Sequence, residues 1–325
     1  MPSSNKDAGR LLSQLKVRHL RIVVALDELG SLVAVASRFH VTSAAISKSL
    51  AEIEALLGMT LFERSRYKLA TTDAGLCMIA ESKIVLNQLE RMAEALISLG
   101  RGVTGRVAVA SATASAQPLI AEVLSLYVQQ YPRVSVAFSV ENSPKKVIQR
   151  LIDGEVDLLF DYTNRAYELA GLATHPVIPP QKLLVVASKS HPLARKSKPT
   201  AAQLHAAMWC IPAEWSRLRP HLEAMFRKYD LGVPEFGIST SDLAMLQTML
   251  RARECLTIMP EHVAKHLQMH DLGRIVRFDT GSQVESVDII WSEKVRPRST
   301  ASLLRALALE ISTSSRSTSR GRVAT

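Results

Sequence analysis

TSAAISKSLAEIEALLG, residues 42–58, has the pattern of a helix with one apolar stripe and one edge of short hydroxyls. Thr42 suits an N-cap, Ile46, Leu50, Ile53 and Leu57 recur at steps of four, three and four, and Gly58 ends the run. Such a stripe must be covered by neighbouring elements, which leaves Ser43, Ala44, Ser47 and Lys48 on the outward side. Upstream, Leu20, Val23 and Val24 predict a helix stopped by Gly30, and Ser31 caps a second, Leu32 to Phe39, whose Ala34 and Ala36 allow close packing. His40 to Thr42 is a brief turn. Downstream, Glu63 to Leu69 is rich in Arg and Lys and reads as a small wing before Thr71-Thr72-Asp73.

Helix, tight turn, helix and basic wing form the geometry that seats one helix in the major groove of DNA. Ser43, Ala44, Ser47 and Lys48 would then face base edges and phosphates, with Arg64, Arg66 and Lys68 flanking the groove. From spacing alone, the solvated face of an ordinary helical domain explains the same residues equally well.

At 325 residues and +10 net charge, the chain is long enough for more than one core. Its charge is uneven: +4 over residues 1–70, −2 over 71–100, +3 over 101–295 and +5 over 296–325, so half of the excess could serve only to solubilise a tail. No apolar run approaches the ~20 residues of a membrane span. Cys77, Cys210 and Cys255 are scattered, which fits packing thiols in a reducing cytoplasm rather than disulfides or metal ligands.

From Ala74 to Leu99 no proline interrupts, and Ile79, Leu86, Leu89, Ala93 and Leu96 form a short heptad-like seam, so a long helix suited to pairing with a second chain is expected. Gly100 to Gly105 reads as a hinge. Beyond it the period alternates: strands at Arg106–Ala110, Val134–Val140 and Val156–Phe160 are separated by helices at Pro118–Gln130 and Pro144–Asp153, which predicts a parallel α/β sheet. Later strands at Leu183–Ala187, Met208–Ile211, Cys255–Met259 and Val287–Trp291 suggest a second α/β lobe. Ser312 to Thr325, rich in Ser, Thr and Arg, is expected to be disordered.

Val17-Arg18-His19-Leu20-Arg21, Phe39 through Lys48, Ile53 through Arg64 and Thr71 through Gly75 together resemble the LysR-type transcriptional regulators. Weaker similarity continues through Val156 to Leu159, His191-Pro192-Leu193 and Cys255 to Pro260. The resemblance implies a winged helix-turn-helix over 1–73, a linker and dimerisation helix over 74–100, and over 101–300 a two-lobed α/β effector domain like the type 2 periplasmic binding proteins. Residues 301–325 would be the end of a helix and the tail. It also implies promoter DNA as partner, a homodimer assembled into a tetramer, RNA polymerase as a further partner, no cofactor and no enzymatic activity. Ser43-Ala44 departs from a common Gln-Pro, which alters what base contacts are available, and Val35 stands where a small Ala is common.

In a two-lobed α/β domain a ligand sits at the carboxyl ends of strands. Ser111, Thr113 and Ser115 follow the first strand ahead of Pro118, so hydroxyls and free backbone N–H groups there suit a small anion such as a carboxylate. The similarity of Phe62-Glu63-Arg64-Ser65-Arg66-Tyr67 to the branch of the family regulating sugar or aromatic-acid uptake and breakdown implies a sugar-derived metabolite as the other candidate. Capping and solvation of the loop account for them otherwise. By analogy, Trp215, Thr240 and Ser241 face the cleft from the second lobe. Glu214 would repel an anion unless paired with Arg217 or Arg219.

His262, His266 and His270, four apart, lack a fourth ligand or a His-Glu-x-x-His order, so a metal site is not expected. Ser143-Pro144-Lys145-Lys146 has an acylating-enzyme spacing but reads as a capped helix start. The rival to a regulator is a cytoplasmic small-molecule-binding protein or enzyme whose helical front is an interaction module.

Overall fold

The computed structural model describes residues 13–64, 69–101, 103–141, 143–234, 237–294 and 297–320. It opens with α1 (Val17–Leu29), α2 (Leu32–Arg38) and α3 (Ser43–Leu57). Gly30 (φ 61°) ends α1, Gly58 (φ 66°) ends α3, and His40 (φ 53°) forms the turn between α2 and α3 in the left-handed region that non-glycine residues seldom occupy. Thr42 caps α3 by accepting the Ala45 N–H, as its sequence position predicts. Ile22, Leu26, Val35, Ile46, Ile53 and Leu61 build one core, so the unusual Val35 is a fully buried part of it.

The wing strands β1 (Phe62–Arg64) and β2 (Leu69–Thr71) pair antiparallel, Phe62 opposite Thr71. Glu54 of α3 ties this hairpin to the helix, its Oε1 accepting the N–H groups of Leu61 at 2.7 Å and Phe62 at 3.2 Å. The long helix α4 (Asp73–Arg101) follows. Thr72 starts it by accepting the Gly75 N–H at 3.0 Å, and a Cβ at Gly75 would lie 2.2 Å from the Leu61 carbonyl oxygen, so only glycine allows this approach. Ile79 of α4 belongs to the head core, whereas Val85, Met92 and Leu96 are 44%, 56% and 62% exposed.

The rear of the chain has two sheets. Lobe 1 orders its strands β4 (Val134–Val140), β3 (Gly105–Ser111), β5 (Leu158–Tyr162), β13 (Val287–Ser292) and β6 (Leu172–Ile178). Its helices are α5 (Gln117–Gln130), α6 (Pro144–Ile152) and α7 (Arg165–Leu169). Lobe 2 orders β11 (Arg274–Ile275), β7 (Gln181–Ala187), β10 (Leu256–Pro260), β8 (Trp209–Ile211) and β9 (Gly237–Ser239), with β12 (Gln283–Val284) also against β7. Its helices are α8 (Ala201–His205), α9 (Arg219–Arg227), α10 (Leu243–Ala252) and α11 (Glu261–Met269).

The expected all-parallel sheets are in fact mixed. β3 runs parallel to β4 and β5, but β13 is antiparallel to β5 and β6, and β7 is antiparallel to β10. The physical reason is the path of the chain: it leaves lobe 1 between Ile178 and Gln181, builds lobe 2, and returns between Val284 and Val287 to insert β13 reversed into the first sheet. Periodicity identifies a strand without giving its direction.

The tail also departs from expectation. Helix α12 (Ser299–Arg320) continues through the stretch expected to be disordered; residues 321–325 lie outside the described residues. Ala301, Leu304 and Ala308 bury its near side in the lobe 1 core, and the hydroxyls of Ser312 and Thr313 are satisfied within the helix by the carbonyls of Leu309 and Glu310.

A buried set of charges joins α4 to lobe 1. Arg298 donates to both carboxylate oxygens of Asp157 (2.9 and 3.0 Å) and to Glu94 of α4 (2.9 Å), while Arg91 of α4 approaches Asp157 at 3.0 Å and donates to the Gly154 carbonyl. Asn87 adds a bond to the Asp153 carbonyl at 2.7 Å. Lys83 lies between Asp27 of the head (3.8 Å) and Glu155 of lobe 1 (3.7 Å).

Candidate functional site

The front site is the outer edge of α3. Ser43, Ala44 and Lys48 are exposed and Ser47 is half-buried, while Ile46, Leu50 and Ile53 on the other side are 0%, 5% and 0% exposed. The sequence therefore orients the helix through its stripe: the core takes one side and the hydroxyl edge is left outward. Lys48 also approaches Glu52 one turn on, at 4.0 Å, an exposed contact of little stabilising value. Arg64 closes β1, but its side chain, together with Arg66 and Lys68, lies outside the described residues.

The rear site is a cleft of about 620 Å³ between the lobes, entered at the carboxyl ends of β3, β5, β8 and β9. Thr113, Ser115, Trp215, Thr240 and Ser241 all line it, so five of the sequence-designated effector residues are brought together. Ser111 is placed differently. It is fully buried, its hydroxyl donated to the Thr113 carbonyl at 2.7 Å, and it shapes the loop from beneath.

Within lobe 1, Thr113 accepts the Ser115 N–H, and the Ser115 hydroxyl meets the Tyr162 phenol at 2.6 Å. Burial pushes the Tyr162 phenol up to about 12, so it remains a neutral donor or acceptor. Across the cleft, Ser241 accepts the Ala213 N–H at 3.2 Å and Thr240 accepts the Asp242 N–H at 3.1 Å, which fixes both loops; Trp215 is 58% exposed. Glu214, which would repel an anion unless paired with Arg217 or Arg219, is exposed and does not line the cleft; Arg219 donates to Glu223 at 2.8 Å, and Arg217 lines the cleft.

Asp161 and Tyr162 carry no assignment from the sequence, whereas Arg217 enters there only as a partner for Glu214 and His262 only in a metal set that is not expected. Asp161 sits on the lobe 1 side of the cleft; burial raises its pKa, opposed by the hydrogen bond from Tyr167 and by the Arg217 charge. Its sequence signal was an acid within the apolar strand Leu158–Tyr162. His262 links the lobes. Its ring nitrogens lie 2.6 Å from the Ser115 carbonyl and 2.6 Å from Gln181 Oε1, and burial is the main cause lowering its pKa. His266 and His270 instead pack against one another with tilted rings, centroids 4.3 Å apart. Cys210 and Cys255 are buried with sulfurs 3.7 Å apart, but Cys77 is exposed and so is no packing thiol. Among the described residues, no helix is long and apolar enough to cross a membrane.

Residues 17–76 match the family described as bacterial regulatory helix-turn-helix protein, lysR family, and residues 100–311 match the LysR substrate binding domain. The chain is 30% identical over 293 residues to the HTH-type transcriptional regulator GbpR of Azospirillum brasilense, covering 89% of this chain and 84% of that protein. It is 27% identical to the HTH-type transcriptional regulator MetR of Escherichia coli strain K12, covering 79% and 78%. In fold it is similar to full-length CbnR complexed with its target DNA, with a TM-score of 0.64 and 18% identity over 92% of this chain and 100% of that one. Full-length OxyR from Pseudomonas aeruginosa gives a TM-score of 0.62 and 20% identity over 91% and 94%.

Proposed function

The chain belongs to the LysR family of DNA-binding transcriptional regulators, and from that premise we propose that α3 reads operator DNA while the interlobe cleft senses the metabolite that controls it. The observation that carries this is the two-sidedness of α3, with a dry stripe at Ile46, Leu50 and Ile53 and an open edge at Ser43, Ala44 and Lys48. Short side chains at the start of a helix let its backbone approach base edges, and the N-terminal end of its dipole favours phosphate. Ser43 and Ser47 face the bases, Lys48 meets the backbone, and Arg64, Arg66 and Lys68 of the wing flank the groove. With Ala44 in place of a longer side chain, this edge relies more on DNA shape than on side-chain amide contacts.

Residues 1–73 act as the DNA-binding head, 74–100 as the dimerising helix and 101–300 as the effector unit. A small carboxylate or a sugar-derived metabolite held by Thr113, Ser115, Trp215, Thr240 and Ser241, over the loop that Ser111 shapes, shifts the lobes between arrangements. The dimer, or a tetramer of two dimers, passes that shift to the spacing of its heads on a partly palindromic operator, and RNA polymerase responds to the altered promoter. The protein works in the cytoplasm by binding, not by turnover.

Fluorescence anisotropy with fragments flanking its own gene tests the DNA reading. Binding is expected to weaken steeply with added salt, and Ser43→Glu, which puts a negative charge against the groove, is expected to cost about tenfold or more in affinity. Affinity unchanged in both Ser43→Glu and Lys48→Glu would remove α3 from the interface.

A further inference from the structure

The charges that line the cleft narrow its ligand, given the reading of the cleft as the effector site. Asp161, only 4% exposed, offers a carboxylate from lobe 1 whose Oδ2 already accepts the Tyr167 phenol. Arg217 of lobe 2 lines the same space and acts electrostatically on Asp161 and Tyr167 alike. As a carboxylate Asp161 can only accept, and Arg217 can only donate. The third charged residue in the lining, Asp242, is engaged in capping α10 through the Met245 N–H at 2.7 Å. Asp161 and Asp242 thus outnumber Arg217, so an anion is accommodated only where its charge meets Arg217 and its other groups donate to Asp161.

A simple carboxylate has nothing to donate to Asp161 and would set a second negative charge beside it. A simple amine has nothing to accept from Arg217. An α-amino acid carries both charges on a single carbon and leaves the Ser115 and Ser241 hydroxyls of the same lining to its side chain alone. A hydroxyl both donates and accepts, so a chain of hydroxyls can meet the carboxylate, the guanidinium and the protein hydroxyls in turn. Trp215 adds an exposed indole face, a surface suited to the C–H side of a saturated ring.

We propose that the effector is a polyhydroxylated molecule, a sugar or the acid formed from one, whose hydroxyls are donated to Asp161 and accept from Arg217 while its carbon skeleton lies on Trp215. Asp161 and Trp215 set the specificity for this class. Arg217 sets the choice between its two members, because a sugar acid gains a charge-assisted bond there and a neutral sugar gains an ordinary one.

The test uses the full-length protein and thermal shift followed by calorimetry against a panel at millimolar concentration: aldopentoses and aldohexoses, the matching aldonates and uronates, succinate, benzoate, L-glutamate and L-lysine. A pentose, hexose or sugar acid is expected to bind. Asp161→Asn, which keeps an acceptor for Tyr167, and Trp215→Ala are each expected to weaken it about tenfold or more with the apo melting temperature little changed. Binding by a sugar acid that Arg217→Gln reduces to that of the neutral sugar would identify the acid as the source; binding indifferent to Arg217→Gln would identify the neutral sugar. Binding by succinate, benzoate or an amino acid alone, lost in Trp215→Ala, would overturn the polyol assignment and leave the cleft as the effector site. Sugar binding untouched by both Asp161→Asn and Trp215→Ala would overturn the cleft itself. Absence of binding across the panel would also overturn the polyol assignment.

Discussion

Arg298 straddles the carboxylate of Asp157, with Nη1 2.9 and 3.0 Å from its two oxygens, and reaches Glu94 of the long helix with its Nε. Their side chains are 2% and 1% exposed, so the start of the C-terminal helix, the entry to β5 of lobe 1 and the long helix α4 meet at a buried ionic joint. Removing one charge there strands the others, because Arg91 also depends on Asp157. Asp157→Asn is expected to destabilise the protein by about 3–5 kcal/mol, read by chemical denaturation. Asp157→Leu combined with Arg298→Met is expected to cost less than the two separate losses added together, a coupling that a double-mutant cycle measures.

Glu54 offers a second, local prediction. One of its carboxylate oxygens accepts the N–H groups of Leu61 and Phe62, and those two residues anchor the wing to the head core. Glu54→Ala leaves two backbone donors without that acceptor and is expected to cost about 1–3 kcal/mol. On the proposed reading, in which the wing flanks the groove, affinity for operator DNA is expected to fall more than the melting temperature of the rear domain, which separates the effect from general unfolding.

How far the sequence could be read follows from what each signal encodes. The steps from Ile46 to Leu57 specify which side of α3 is buried, and Thr42 and Gly58 mark its limits, so the head was legible at residue level. Val134–Val140 is legible at its observed bounds because its apolar alternation lies between Pro132 and the Pro144 that starts the next helix. Leu172–Ile178 was missed: His175 and Pro176 break its apolar pattern, and its partner β13 lies more than a hundred positions away. The cleft was half legible. Ser and Thr after strand ends are visible as caps and candidate ligands, whereas Asp161 and Arg217 come from opposite lobes and are brought to one lining only by the fold. The tail misled because hydroxyl-rich composition usually opposes burial, yet Ser312 is 3% exposed and satisfied by its own helix.

His262 predicts a dependence on pH. Burial holds its folded pKa below the usual 6.5, with His266 pushing the same way and Glu261 and the Ser115 carbonyl opposing. Below about pH 6.5 the unfolded chain takes up a proton there that the folded chain resists, so this contribution to stability is full above that pH and is lost as pH falls toward the lower folded pKa. Its slope cannot exceed about 1.4 kcal/mol per pH unit for one proton. Denaturation curves between pH 7.5 and 5.5 are expected to show a shallower loss in His262→Gln than in the wild type. An equal loss would assign the effect to His19, His191 and His266, which burial lowers as well.

The long helix presents Val85, Met92 and Leu96 to solvent, spaced seven and four apart, on a helix whose Asn87, Arg91 and Glu94 are held by lobe 1. One side of the helix is therefore fixed within the chain and another leaves apolar surface open at heptad spacing, the arrangement a second copy of the helix would cover. Covering a Met or Leu side chain is worth about 1.5–3 kcal/mol, and a symmetric dimer covers each twice. Met92→Glu with Leu96→Glu is expected to raise the dimer dissociation constant by about a hundredfold or more in sedimentation experiments, with the folded monomer intact because neither residue belongs to a core. Binding to a single half-site should then survive while joint occupancy of two half-sites is lost. A variant that stays dimeric at low micromolar concentration would mean that the subunits associate through a different surface.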